Sequence, residues 1–214
     1  MINLWAVSEP KQVSKCIIGL TGRGQEASHM LHIAKSLDLP DTLLVAIEPE
    51  ELRWYPQPIS SVDQDEAVAG LPLARAAIGD IIKSIQWKWN LFPKDITLIG
   101  FSAGGVMAVD IATKEKEEYG AIVCFAGAIL NPYDTPQNDK DTPFLLIHNK
   151  DDYCFDWKER YLPMKEKLVE QGYNVTTLEK RRGNHRIFYK DVVEASNFIG
   201  QHMIDPSWQH PESQ

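Results

Sequence analysis

Short apolar runs rich in β-branched residues alternate along this chain with longer stretches of helical period, and that alternation limits the fold more than any other feature. Residues 13–20, 42–47, 96–101, 121–126, 144–148 and 174–178 read as strands. Most are apolar with little alternation, as strands are when both faces of a sheet are covered. Between them, residues 26–37, a segment opening near Pro72, residues 103–116 and residues 157–171 carry apolar side chains three and four apart. Ile78, Ile81, Ile82, Ile85 and Trp89 fall on one helical face, and Phe188, Val192, Ala195, Ile199 and Met203 mark a last amphipathic helix. The pattern predicts an α/β fold: a mostly parallel sheet of six to seven strands with helices on both faces. Residues 48–65 and 131–142 read as loops, neither long enough for a large cap domain. A single domain over 1–214 is expected, with its core in about 14–203 and a loose tail over 205–214.

Charge and composition exclude several classes of function. The net charge is −8, from 22 basic and 30 acidic residues. Nucleic acid and anionic membranes attract proteins with a basic excess, so neither is an expected partner. No window approaches the ~18 uninterrupted apolar residues of a membrane-spanning helix. The first residues lack the basic-then-apolar pattern of a signal peptide. Cys16, Cys124 and Cys154 form no CxxC pair, so reduced thiols in a cytoplasm are the expected state.

The strongest chemical signal is Gly100-Phe101-Ser102-Ala103-Gly104, which follows one predicted strand and opens a helix at once. A GxSxG run in that context is a nucleophile elbow. Glycines on either side let neighbouring chain approach closely, and the serine hydroxyl is held at the strand's carboxyl end. The helix N-terminus beside it gathers partial positive charge. Without that context the same run is an ordinary tight turn.

A serine nucleophile needs a base, and the base needs an orienting acid. The strand at 144–148 runs into His148-Asn149-Lys150-Asp151-Asp152, and the strand at 174–178 runs into a polar turn ending in Gly183-Asn184-His185. Ser102, Asp152 (or Asp151) and His185 thus follow in the order Ser, Asp, His, each just past a strand's carboxyl end. An aspartate pair after a strand is more often a turn or helix cap, and a loop histidine is often only that. Three such residues at three such places point together to nucleophilic catalysis.

Gly-Phe-Ser-Ala-Gly-Gly, Leu-Ile-His-Asn-Lys-Asp-Asp and Gly-Asn-His together resemble the phospholipase/carboxylesterase group of α/β-hydrolases, which includes acyl-protein thioesterases. The resemblance spans about residues 14–203. In that group an HGxxD segment supplies the acid from its last position, which implies Asp152 here. The catalytic histidine follows glycine in a short G-x-H run, which implies His185. Leu20-Thr21-Gly22-Arg23-Gly24-Gln25 resembles the LHGxG stretch that contributes an oxyanion-hole N–H, implying the amide of Arg23, with the second from Ala103. Arg53-Trp54-Tyr55-Pro56 resembles a stretch seen in some members. Thr21 stands where the group has histidine and Asn149 where it has glycine. Asparagine tolerates left-handed backbone, which would suit the second exchange. The expected activity is hydrolysis of small carboxylic esters or thioesters through an acyl-enzyme, without cofactor or metal, by a monomer or homodimer.

Two other classes are open to the same residues. Gly22-Arg-Gly24-Gln-Glu-Ala27 follows a strand and fits G-x-G-x-x-A, with Glu48 placed as a ribose-binding acid in the manner of a Rossmann protein. Glu48 lies farther along than the ~20 residues of that pattern. A hydrolase-like binding protein without catalysis is the other, since a fold outlives its site.

Lesser features have plainer readings. Cys154 reads as a packed or partly exposed thiol near the cleft, His29 and His32 as solvated side chains, and His148 as structural. Lys180-Arg181-Arg182 reads as a solvated loop able to attract an anion. Trp54, Tyr55, Ile129, Leu130, Tyr153 and Phe155 sit in loops at strand carboxyl ends and are the candidate pocket lining.

Overall fold

A computed structural model describes residues 2–8, 10–56, 65–130 and 141–204. Seven strands among these residues form one sheet: β1 (Ile2–Ser8), β2 (Lys15–Leu20), β3 (Thr42–Pro49), β4 (Ile96–Phe101), β5 (Ala121–Phe125), β6 (Phe144–Asn149) and β7 (Val175–Lys180). Their spatial order is β1-β3-β2-β4-β5-β6-β7. Neighbours from β3 to β7 run parallel, while β1 pairs antiparallel with β3 at the edge.

Five α-helices among the described residues cover the sheet: α1 (Ala27–Ser36), α2 (Asp65–Trp89), α3 (Ala103–Lys114), α4 (Leu162–Glu170) and α5 (Tyr189–Ile199). The strands turn alternate side chains to opposite faces. Cys16, Ile18 and Leu20 join a core with α2, α3 and α4, whereas Ile17 joins a second core with α1 and α5. Burial on both faces is why the strands read as apolar runs. Ser196 Oγ donates to the carbonyl of Leu37, which ties α5 to the end of α1.

The structure corrects four sequence expectations. The first strand of the chain is Ile2–Ser8, not the run at 13–20; as an edge strand with a register shift between Ala6 and Ser8 it leaves little apolar signature. Helix α2 begins at Asp65 and carries Pro72 inside it, because Ala67 and Leu71 already bury against the core ahead of the proline. Lys180 belongs to β7 rather than to a loop, and its ammonium meets the buried carboxylate of Asp191. The segment after Asp156 opens with a π-helical turn, Trp157–Tyr161, before α4, with Pro163 in the first turn of that helix. The remaining parts of the two expected loops, 57–64 and 131–140, and the tail over 205–214 lie outside the described residues.

One feature of the topology positions the site. The chain leaves β2 towards β3 on one side and then places β4 on the other side of β2. The connections after β2 and β4 therefore diverge, and a crevice opens at the carboxyl ends of these strands.

Candidate active site

The turn after β4 holds Ser102 at φ 54° and ψ −118°. A non-glycine residue there is strained by ~1–3 kcal/mol and persists only when its surroundings over-determine it. They do so here: the Ser102 N–H donates to Phe125 O at 2.9 Å, and the Ser102 carbonyl accepts from Val106 N–H at 3.0 Å. A Cβ on Gly100 would lie 2.2 Å from Gly104 O, and one on Gly104 would lie 2.0 Å from Leu20 O. The glycines of the elbow are thus required by close backbone approach.

His185, in the loop after β7, reaches this serine. Its Nε2 lies 2.8 Å from Ser102 Oγ, and its Nδ1 lies 2.8 Å from Asp152 Oδ2. Of the two aspartates, Asp152 meets the imidazole. Asp151 instead accepts the Asn184 N–H at 2.9 Å and so holds the histidine loop. Asp152 is 5% exposed, and its Oδ1 accepts the N–H groups of Cys154 at 2.8 Å and Phe155 at 2.9 Å. Burial pushes this carboxyl upward, but the hydrogen bonds from His185, Phe155 and Cys154 together outweigh it and hold the group below its ordinary range. Three aromatic rings surround the imidazole, with centroids 4.9 Å (Phe101), 5.6 Å (Phe155) and 6.2 Å (Tyr153) away.

Asn149 does something other than the sequence expectation. It is the last residue of β6 and does not adopt left-handed backbone. Its Nδ2 donates to Asn184 O at 2.7 Å and to Arg186 O at 3.4 Å. A Cβ on Gly183 would lie 2.5 Å from Asn149 Oδ1, so glycine before Asn184 lets the loop settle on this amide.

The loop after β2 is pinned from several sides. Gly22 N–H donates to Gln25 Oε1 at 3.1 Å, Gly24 N–H to Leu52 O at 2.8 Å, and Trp54 Nε1 to Thr21 O at 2.7 Å. The Arg23 guanidinium donates to Tyr55 O and Pro56 O. Among the described residues neither the Arg23 nor the Ala103 amide has an acceptor, so both are available to a ligand at the crevice. Thr21 is fully buried beneath this loop, with its backbone carbonyl holding the Trp54 indole.

A cleft of about 370 Å³ opens over these groups. Arg23, Tyr55, Ser102, Ala103, Phe155 and His185, all named among the candidate site residues, line it. Gly22, Gln25, Phe101 and Cys154 also line it. Of these, Phe101 was within sequence reach as the residue before the serine of the elbow, and Gln25 as the last of the Leu-Thr-Gly-Arg-Gly-Gln stretch.

Other expected lining residues lie elsewhere. Trp54 is buried in the core shared with α2, α3 and α4, with its indole spent on Thr21. Ile129 and Leu130 pack with the core of α2, α3 and α4. Tyr153 is 78% exposed and does not line the cleft, though its ring meets that of His185 edge-on at 6.2 Å. Lys180 is paired with Asp191, and Arg181 and Arg182 are exposed and do not line the cleft.

Glu48 accepts the Ala27 N–H at 2.6 Å, so it caps α1 rather than waiting for a ribose. His148 is structural: its Nε2 pairs with Phe155 O at 2.9 Å, its ring stacks on Tyr161 at 4.6 Å, and burial lowers its basicity. His29 and His32 are exposed on α1. Possible metal-donor atoms of Asp152, Cys154 and His185 lie within 4.8 Å of one another. Both oxygens of Asp152 are already engaged, however, by His185 and the two amides.

The description "Phospholipase/Carboxylesterase" belongs to the family model that matches residues 6–203. Among solved structures, the chain is similar to the esterase PE8, with 22% identity, TM-score 0.82, and 89% of this chain and 94% of that one covered. It is similar to a phospholipase/carboxylesterase from Dyadobacter fermentans DSM 18053, with 21% identity, TM-score 0.80 and coverage of 93% and 96%. A carboxylesterase from Bacillus cereus aligns at 15% identity with TM-score 0.80, covering 94% of this chain and 95% of that one. At these identities the solved structures speak to the fold. No helix among the described residues is long and apolar enough to cross a membrane.

Proposed function

The chain belongs to the phospholipase/carboxylesterase family of hydrolases, and from that membership we propose that it cleaves small carboxylic esters or thioesters through an acyl-enzyme on Ser102. The observation that carries the proposal is the continuous chain of 2.8 Å contacts from Ser102 Oγ through His185 to Asp152.

His185 Nδ1 faces a carboxylate, so it carries the proton, and Nε2 offers its lone pair to the serine hydroxyl. Ser102 Oγ attacks the substrate carbonyl as its proton passes to Nε2. Asp152 stays ionised, keeps the tautomer and stabilises the imidazolium. The amides of Arg23 and Ala103 receive the oxyanion. Removing one such donor in a comparable site costs ~2.7–4 kcal/mol of transition-state stabilisation. His185 then returns the proton to the leaving alkoxide or thiolate. Water, deprotonated by the same nitrogen, attacks the acyl-enzyme and releases the acid. The chain's own groups suffice for every step, so no cofactor or metal is invoked. Three unpaired cysteines suit a reducing compartment such as the cytoplasm, and a monomer or homodimer acting on a small molecule, without nucleic acid, completes the proposal.

The test pairs a p-nitrophenyl ester assay with a fluorophosphonate probe. Wild-type protein hydrolyses the ester and is labelled once, whereas Ser102→Ala does neither while keeping its circular dichroism and melting temperature. Unlabelled wild-type protein would return the chain to a binding role, and wild-type rates in Ser102→Ala would refute the nucleophile.

A further inference from the structure

Arg23 stands out in the cleft for reasons the hydrolytic chemistry does not use. It lines the cavity beside Ser102 and His185. Its guanidinium is fixed by two carbonyl acceptors, Tyr55 O and Pro56 O, and lies 5.5 Å from the centre of the Tyr55 ring. All these partners are uncharged. Lys15, Arg53, Arg75, Lys94, Lys165 and Lys180 each meet a carboxylate, but Arg23 meets none among the described residues. Arg23 is thus a cation held in place at the cleft of a chain of net charge −8, with no carboxylate partner among the described residues. Partial burial disfavours its charged form, so the folded protein carries a cost there that an anion would offset.

Building on the proposed hydrolysis, we infer that Arg23 recognises a carboxylate on the substrate, so that the preferred substrates are monoesters or monothioesters of dicarboxylic acids. A guanidinium has five N–H donors in a planar fork. Two are spent on the carbonyls, which orient the plane, and among the described residues no acceptor takes the others, which leaves them for an anion. One cation balances one negative charge, which favours a carboxylate over a phosphate dianion. The same residue's amide is the proposed oxyanion donor. The recognised charge therefore sits only a few bonds from the scissile carbonyl, at a distance set by one arginine side chain. Lys180-Arg181-Arg182, the basic run that the sequence offers for this task, does not line the cleft, and Lys180 is paired with Asp191.

The test compares methyl hydrogen succinate, glutarate and adipate with methyl butanoate, pentanoate and hexanoate, in pairs of equal carbon number, by pH-stat. Wild-type protein is expected to favour the anionic member of the best pair at least ten-fold in kcat/KM at low salt, with the ratio shrinking as salt rises. In Arg23→Met the ratio falls to one or below, and Arg23→Lys lies between, because lysine keeps the charge but not the fork. Each variant is judged by its own ratio, so a general loss of rate does not enter. Neutral esters cleaved as well as anionic ones at all three lengths would overturn the inference and leave ester hydrolysis standing. Calorimetry on Ser102→Ala separates the two ideas: it should bind methyl hydrogen adipate and not methyl hexanoate. Equal binding of the two would overturn the role of Arg23. Selective binding in a protein whose wild type turns over neither ester would keep that role and overturn the hydrolase proposal.

Discussion

Asn149 Nδ2 donates to Asn184 O at 2.7 Å, and through this contact the end of β6 holds the loop that carries His185. A second donation to Arg186 O at 3.4 Å brackets the histidine from its other side. Each such hydrogen bond is worth about 0.5–1.5 kcal/mol net. Asn149→Ala should therefore lower kcat on the order of ten-fold, since each ~1.4 kcal/mol of lost positioning is a factor of ten. KM should change little, and urea unfolding should register a loss of about 1 kcal/mol. An unaltered kcat would show that Asp151 and Asp152 position the imidazole without Asn149.

The two neighbouring aspartates should separate cleanly under substitution. Asp152→Asn removes the acceptor for His185 Nδ1 and favours the wrong tautomer, which lowers kcat by about 10⁴ in a comparable triad. Asp151→Asn keeps an Oδ1 acceptor for the Asn184 amide and loses only the charge, so its rate should stay within an order of magnitude of wild type. Similar losses in both variants would undo the distinction.

Acid titration gives an independent reading of Asp152. Its carboxyl is held below the ordinary range in the folded protein. A group depressed on folding contributes stability above its unfolded value of ~3.9, and the contribution is lost as pH falls through the folded value. The stability advantage of wild type over Asp152→Asn should thus be full at pH 6 and shrink steadily below about pH 4. A difference that stays constant down to pH 3, in urea titrations at each pH, would contradict it.

Where the sequence spoke clearly, it did so because local chemistry and final position coincide. Ser102, Asp152 and His185 each follow a strand end, and in a parallel sheet strand ends converge, so order and type were enough to bring them together. The pocket was harder to read. Trp54, Ile129 and Leu130 are apolar residues in connecting segments, and nothing local tells whether such a side chain faces a cleft or the core. The same limit hid β1, whose pairing with β3 is a long-range event, and the start of α2, where burial of Ala67 and Leu71 overrides the proline rule.

Glycines at matched chemistry but different surroundings should behave oppositely. Gly79 lies within α2, and a Cβ there meets nothing within 4 Å. Gly79→Ala should stabilise the protein by about 0.5–1 kcal/mol by narrowing the unfolded ensemble. In Gly104→Ala the new Cβ would lie 2.0 Å from Leu20 O, so backbone must move and the elbow with it. That variant should be poorly soluble, or folded without ester hydrolysis. Equal melting temperatures for the two variants would mean that the close approach of α3 to β2 is not as tight as it stands.

The three cysteines should differ in reactivity by burial and field. Cys16 and Cys124 are buried, and burial pushes both thiols up to about 12. Cys154 is partly exposed at the cleft, but burial first, and then the negative charge of Asp152, pushes it above its ordinary value. The thiolate is the reactive form, so its labelling is set by how much of it exists. With Ellman's reagent at pH 8, the folded protein should show one slow thiol, Cys154, and denatured protein all three. The labelling rate should keep rising beyond pH 9. Because Cys154 lines the cleft, loss of esterase activity should track its modification. Cys154→Ser should abolish both the native labelling and the inactivation by the reagent. Rapid labelling at pH 7 would mean that a cation, rather than Asp152, governs this thiol.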